Sequence, residues 1–132
     1  MAATQKEFIR AAKRGDLEQL QALLAADSTL LGARDRDGST ALHCAVWKDQ
    51  RAVVAFLLEA GADVNAHSNN DHWGTTPLHA AAHANRTALL RLLIDAGADL
   101  QARDMANRTP LEHTTFHKAT AAANILKEHG AT

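Results

Sequence analysis

The chain has 132 residues, of which 46% are hydrophobic, 22% charged and 4% aromatic. That length suits one domain, and two Trp, three Phe and no Tyr are too few to fill a conventional sandwich or barrel core, so the composition favours thin helices packed side by side. Fourteen Lys and Arg against fifteen Asp and Glu leave a formal charge of -1, whereas a protein that binds duplex DNA typically brings about six to ten cationic contacts to phosphates. We therefore expect no nucleic-acid partner.

Cysteine usage and hydropathy indicate the compartment. A single cysteine, Cys44, excludes an intramolecular disulfide and is typical of a reducing compartment, so we expect a cytoplasmic protein. The N-terminus lacks an apolar run followed by a cleavage site, and no 18-residue apolar stretch occurs. Secretion by a signal peptide and contact with a membrane are both disfavoured.

Residues 1–34 are predicted to form a helical hairpin. Thr4 and Glu7 have the spacing of a capping box, which predicts a helix running to about Lys13 and ended by Gly15. A second helix is predicted from Asp16, with its leucines on one face. The first helix carries four cations and is interpreted as the polar cap of a repeat array. The cations are Lys6, Arg10, Lys13 and Arg14.

Residues 35–66 are predicted to form a second unit. A turn at Asp35–Gly38 precedes a short helix near Thr40–Lys48 and another near Arg51–Glu59. Gly61 follows the second helix, where a residue in the left-handed conformation is needed to end it.

Residues 67–102 and 103–132 are predicted to repeat that plan. Thr40 and Gly61, Thr76 and Gly97, and Thr109 and Gly130 are each 21 residues apart. The third unit carries three extra residues ahead of its turn, in a polar loop that can lengthen at little entropic cost. In the fourth unit a lysine takes the place of a large apolar residue, so the unit is interpreted as a polar exit cap.

A six-residue motif opens each of the three later units. It reads T-P-L-H-A-A from Thr76, T-A-L-H-C-A from Thr40 and T-P-L-E-H-T from Thr109. Together with the loops that follow Gly61 and Gly97, this motif resembles the signature of the ankyrin-repeat family over essentially the whole chain. The sequence departs from the family pattern where a glycine often separates the two helices of a unit, at Asp49, Asn85 and Lys118.

The resemblance implies an all-α solenoid of four helix-turn-helix units with short β-turn fingers. It also implies a protein-binding module without catalysis or a cofactor, and we expect a monomer whose partner is another protein. Members of the family usually bind through the finger tips and the exposed side of each first helix. On the fingers these places hold Arg36, Asp37, His72, Trp73, Met105 and Arg108, and on the helices Trp47, Lys48, His83, Phe116 and His117.

Trp47, His83 and Phe116 occupy equivalent positions in successive units, so they are predicted to line up as a ladder across the binding side. Exposed aromatic residues of this kind often dominate an interface. The alternative to exposure on the binding side is burial: Trp47 and Phe116 would lie flat on neighbouring helices as partial core, and Trp73 would pack on the inserted loop.

Eight histidines raise the alternative of a metal- or small-ligand-binding protein. His79 with His83, and His113 with His117, are four residues apart, a spacing at which two histidines of one helix can share zinc. However, His79 belongs to the repeat motif, where its ring is expected to bond to the backbone and the threonine hydroxyl. That would leave His83 without a second ligand. With no second cysteine and no obvious carboxylate partner, we expect no metal.

The histidines also suggest pH-dependent binding or, beside a cysteine, catalysis. Exposed His83 and His117 would make partner binding depend on pH near the ordinary histidine pKa of about 6.5. Cys44 beside His43 looks like a nucleophile and its base, but neighbouring helical residues point about 100° apart. Cys44 is therefore interpreted as a small buried residue, and we expect no enzyme.

Overall fold

A threonine caps the first helix of each of the three later units. The structure, a computed structural model, describes residues 3–69 and 74–132. Thr76 Oγ1 accepts from the amide of His79 at 3.3 Å, while Nδ1 of His79 accepts from the amide of Thr76 at 3.1 Å. The same reciprocal pair forms at Thr40, and at Thr109 a glutamate replaces the histidine. These capping boxes fix the three helix starts that the motif predicts.

Eight α-helices and one short 3₁₀ helix occur in the described residues. In chain order they are α1 (Ala3–Arg14), α2 (Leu17–Ala26), the 3₁₀ helix (Ser28–Gly32), α3 (Ala41–Trp47), α4 (Arg51–Glu59), α5 (Pro77–His83), α6 (Thr87–Asp95), α7 (Pro110–His113) and α8 (Thr120–Glu128).

The helices pair into four hairpins that stack in one direction. Helices α1, α3, α5 and α7 pack one on the next, and α2, α4, α6 and α8 lie behind them. The core between the rows is mainly leucine and alanine, and the fully buried Ala81 and Ala82 keep α5 thin enough for close approach. This confirms the all-α repeat fold. Within the described ranges, no helix has both the length and the apolar character needed to cross a membrane.

Two local predictions in the first unit need correction. Thr4 lies inside α1, which already includes Ala3, so Thr4 is not the residue that caps this helix. A 3₁₀ helix that the sequence did not predict, Ser28–Gly32, follows α2; Asp27 accepts from the amide of Thr29 at 3.0 Å and starts it. Such a segment is too short to show helical periodicity.

The turn inside each later hairpin contains a residue in the left-handed conformation. Asp49, Asn85 and Lys118 have φ of 57°, 55° and 52°, at the positions where the sequence departs from glycine. Asp and Asn adopt this conformation at modest cost, whereas lysine adopts it rarely. Gly61, with φ of 97°, ends α4 as predicted.

The first helix of the fourth unit is shorter than its counterparts. Helix α7 ends at His113, so Phe116 and His117 lie in the following turn and not on a helix as predicted. The hydroxyls of Thr114 and Thr115 donate to carbonyl oxygens three residues back, at 2.6 and 2.7 Å. Side-chain bonds of this kind compete with the helical backbone ladder, which explains the early end.

Candidate protein-binding surface

The ladder predicted from the sequence is present in the structure. Trp47 and His83 are the last residues of α3 and α5, and Phe116 follows α7 at the equivalent position. The ring centroids of Trp47 and His83 are 5.8 Å apart, and those of His83 and Phe116 are 5.6 Å apart. Three successive units thus contribute one ring each to a continuous row, which we call the ladder.

Phe116 is the exposed end of the ladder. It is 45% exposed, with the guanidinium carbon of Arg108 4.9 Å from its ring centroid and His113 edge-on at 5.4 Å. The cation–π contact and the edge contact hold the ring in place without covering it. Phe116 is therefore an exposed apolar side chain in a fixed orientation and not a core residue.

Trp47 is held differently. Its side chain is half-buried and packs against the core, and its Nε1 is buried with no acceptor among the residues that the structure describes. The core interpretation therefore holds in part for Trp47. Replacing it would disturb packing as well as any contact surface.

The finger tips extend the surface beside the ladder. Met105 is 70% exposed, and its side chain covers Gly74 of the preceding finger, where an added Cβ would lie 2.7 Å from Met105 Cγ. Arg36 and Lys48 are exposed and Asp37 is half-buried, while Lys48 follows α3 and is not part of it. Two predicted contact residues, His72 and Trp73, lie outside the described residues.

The motif histidines bond to threonine and backbone as expected, and the backbone carbonyl that each reaches belongs to the next unit. Because Nδ1 of His79 accepts from the amide of Thr76, its proton is on Nε2, which donates to the Arg108 carbonyl at 2.8 Å. His43 reaches the Thr75 carbonyl at 2.8 Å in the same way. Burial lowers the pKa of His79 to about 4, which keeps its ring neutral.

Asp104 and His113 form a buried pair that the sequence reasoning missed. Asp104 Oδ1 accepts from the amides of Ala106 and Arg108, both at 2.9 Å, and Oδ2 lies 2.7 Å from His113 Nε2. Burial by itself would raise the pKa of Asp104, but the bonds from Arg108, His113 and Ala106 lower it overall. Asp35 accepts from two amides of its own finger in the same way, so aligning the units would have revealed the position.

Histidine pairs form between units and not along one helix. The rings of His79 and His113 have centroids 4.9 Å apart, and His83 Nε2 lies 3.1 Å from His117 Nε2. The expectation that His83 lacks a second histidine is therefore wrong. Its pKa is lowered by burial and further by His117 and His113. The expectation of no nearby carboxylate is wrong too, because Asp104 adjoins the cluster.

Cys44 is a buried structural residue, as predicted. Its Sγ lies 3.5 Å from Asp35 Oδ2, and burial, with the adjacent Asp35 charge, raises its pKa to about 12. A thiol in this state forms almost no thiolate near neutral pH. His43 bonds to Thr40 and Thr75, so it does not act as the base of a catalytic pair.

Comparison with known proteins agrees with this geometry. A family profile described as "Ankyrin repeats (3 copies)" matches residues 6–68 and 65–132. Over 56 residues the chain is also 43% identical to palmitoyltransferase akr1 of the fission yeast Schizosaccharomyces pombe. That match covers 42% of this chain and 9% of the yeast protein, so the chain corresponds to a small part of that relative.

Proposed function

The chain belongs to the ankyrin-repeat family, and from that premise we propose that it binds a partner protein across the ladder and the adjacent finger tips. Ankyrin repeats are generally protein-interaction modules. One observation carries the proposal for this face: the exposed large hydrophobic side chains of the described residues, Met105 and Phe116, both belong to it. Apolar side chains left in water beside polar neighbours are typical of interaction sites.

The chemistry of the surface indicates what the partner presents. Phe116 and Met105 offer apolar area, and Arg108 offers a guanidinium beside it. A partner with an apolar side chain flanked by a carboxylate or carbonyl oxygen would satisfy both. The proposed contact residues are Arg36, Asp37, Trp47, Lys48, His72, Trp73, His83, Met105, Arg108, Phe116 and His117.

Catalysis is not part of the proposal. The palmitoyltransferase activity in the name of the yeast relative belongs to a protein of which this match spans 9%. In this chain the buried Cys44, with its pKa near 12, is unsuited to act as a nucleophile. We further propose a cytoplasmic monomer whose partner is neither nucleic acid nor membrane, in keeping with a formal charge of -1.

Alanine variants test the surface. Phe116→Ala and Met105→Ala should each lower capture of the partner, because truncating a central contact residue costs about 2 kcal/mol or more. Arg91→Ala is the matched control, since Arg91 is exposed on α6 in the other helix row. Quantitative affinity capture from the native host, with thermal melts of all three variants, provides the readout.

The thermal melts of the three variants should coincide, because all three replaced side chains are exposed. Loss of the same protein from both ladder-side variants, with retention by Arg91→Ala, supports the proposal. If both ladder-side variants retain the protein and Arg91→Ala loses it, the binding surface is on the row formed by α2, α4, α6 and α8, which we call the outer row.

A further inference from the structure

His83, the middle ring of the ladder, and His117 bring two imidazole nitrogens together on the surface. His83 ends α5 and is half-buried, and His117 lies in the exposed turn after α7. Their rings meet at 88° with centroids 4.7 Å apart, and the two Nε2 atoms are 3.1 Å apart. The residues are 34 positions apart in the chain, so only the stacking of units creates the pair.

The separation of the two nitrogens is that of ligands to one metal ion. Zinc lies about 2.0–2.1 Å from histidine nitrogens, so two nitrogens of a tetrahedral site are about 3.3 Å apart. The observed 3.1 Å is about 0.2 Å shorter than that value. In the absence of a metal ion the same separation suits one hydrogen bond, in which one ring donates and the other accepts.

The surroundings hold the His83 ring in place and leave His117 open to solvent. His113 packs edge-on against His83 at 5.7 Å between centroids, and its Nε2 is bonded to the buried Asp104 carboxylate. His83 is therefore backed by packed rings, while His117 remains exposed. Such a pair keeps two ligands in place and leaves further coordination positions to water.

A nearby buried group is unsuited to the same role. Ligand atoms of His79, Asp104 and His113 lie within 4.8 Å of one another. However, both ring nitrogens of His79 are engaged, with Nε2 donating to a carbonyl, and the Asp104 carboxylate is bonded to His113. A metal there would have to break the bonds that join two units.

We propose that Nε2 of His83 and Nε2 of His117 chelate one divalent transition-metal ion, with water completing its coordination. Imidazole nitrogen is a preferred ligand of Zn²⁺, Cu²⁺ and Ni²⁺, so the site belongs to this class and not to Mg²⁺ or Ca²⁺. Both ligands also belong to the proposed contact surface, but binding of the metal ion to the free chain requires no partner protein.

Calorimetric titration of the untagged full chain with Zn²⁺ tests the proposal. The expected result is one Zn²⁺ per chain. His83→Gln and His117→Gln should each weaken binding by at least tenfold, since loss of groups that merely orient a ligand already costs about 10- to 100-fold. His129→Gln is the control, because His129 is exposed and its Nδ1 bonds to the Ile125 carbonyl. His72→Gln is a second control.

Imidazole NMR spectra recorded during the same titration identify the ligands directly. The proposal predicts zinc-dependent shifts of His83 and His117 that saturate together, with the spectrum of His129 unchanged. Binding that is undiminished in His117→Gln, binding that is abolished in His72→Gln, or no zinc heat at all would each overturn it. A metal-free thermal melt of His117→Gln that matches the parent shows that the variant is folded.

Discussion

His79 illustrates how a single buried side chain can link two repeats. It is 0% exposed, and it bonds to Thr76 in its own unit and to the carbonyl of Arg108 in the next. A neutral ring satisfies both bonds, whereas a proton added to Nδ1 would face the N–H of Thr76 and remove the bond that this amide donates to the ring. The residue is therefore a cap and an inter-unit contact at once.

This geometry predicts that acid destabilises the fold through His79. Its pKa in the folded chain, about 4, is below the ordinary 6.5, so the unfolded chain takes up the proton first as pH falls. The contribution of neutral His79 to stability is complete above pH 6.5 and is lost as pH falls from 6.5 to 4. By pH 5 the loss in the free energy of unfolding is about 2 kcal/mol.

Urea denaturation at pH 7.5 and pH 5 measures the effect. His79→Gln should be less stable at pH 7.5, but its free energy of unfolding should fall less between the two pH values than that of the parent. Equal pH dependence in the two proteins would show that His79 is not the group responsible.

The sequence predicted some of the contacts made by individual histidines and missed others. The bonding of His43 and His79 to threonine and backbone followed from the repeat motif and is confirmed. The Asp104–His113 pair was missed because each residue looks ordinary in its own segment, and only the finger's fold brings the carboxylate to the ring. The His83–His117 pair was missed because the spacing argument considered contacts along one helix only.

At the scale of elements, the helix boundaries were largely predictable because chemically distinct residues mark them. Threonine, with or without a following proline, starts three helices, and Gly61 follows α4 with the expected positive φ. The short α7 was not predictable from periodicity, since side-chain bonds of Thr114 and Thr115 decide where it ends. The place of Phe116 in a turn follows from that competition.

Glycine in place of the left-handed residue between paired helices should change stability in opposite directions at Lys118 and Asn85. Lys118→Gly should stabilise the chain by about 0.5 kcal/mol, because relief of a left-handed cost of about 1–2 kcal/mol exceeds the added entropy of glycine in the unfolded chain. Asn85→Gly should instead destabilise it by about 1 kcal/mol, because Asn85 Oδ1 accepts from the amide of Ala122 in the next unit at 3.1 Å.

Urea midpoints of the two variants, compared at unchanged slope, check the pair of predictions. The two substitutions are at equivalent positions, but asparagine tolerates the left-handed conformation better than lysine, so the difference between the variants combines the lost inter-unit bond with a smaller backbone relief at Asn85. Stabilisation by both variants would mean that the Asn85 bond contributes little.

Across the whole molecule, stacking of units converts a periodic sequence into a surface. Equal spacing in the chain places Trp47, His83 and Phe116 in register, and the observed ring separations of 5.8 and 5.6 Å confirm the predicted ladder. The sequence could not apportion each ring between core and surface. That division depends on where each first helix ends: Trp47 is still on α3 and is half-buried, whereas Phe116 lies in the turn after the shorter α7 and is exposed.

We propose that a partner protein contacts the ladder side of the array, where site-specific photocrosslinking can capture it. A photoreactive phenylalanine analogue at position 116 keeps an aromatic ring where Phe116 lies, and the same analogue at position 91, on the outer row, is the control. We predict a crosslink to one protein from position 116 in the native host and none to that protein from position 91. A crosslink to the partner from position 91 with none from position 116 would contradict the claim.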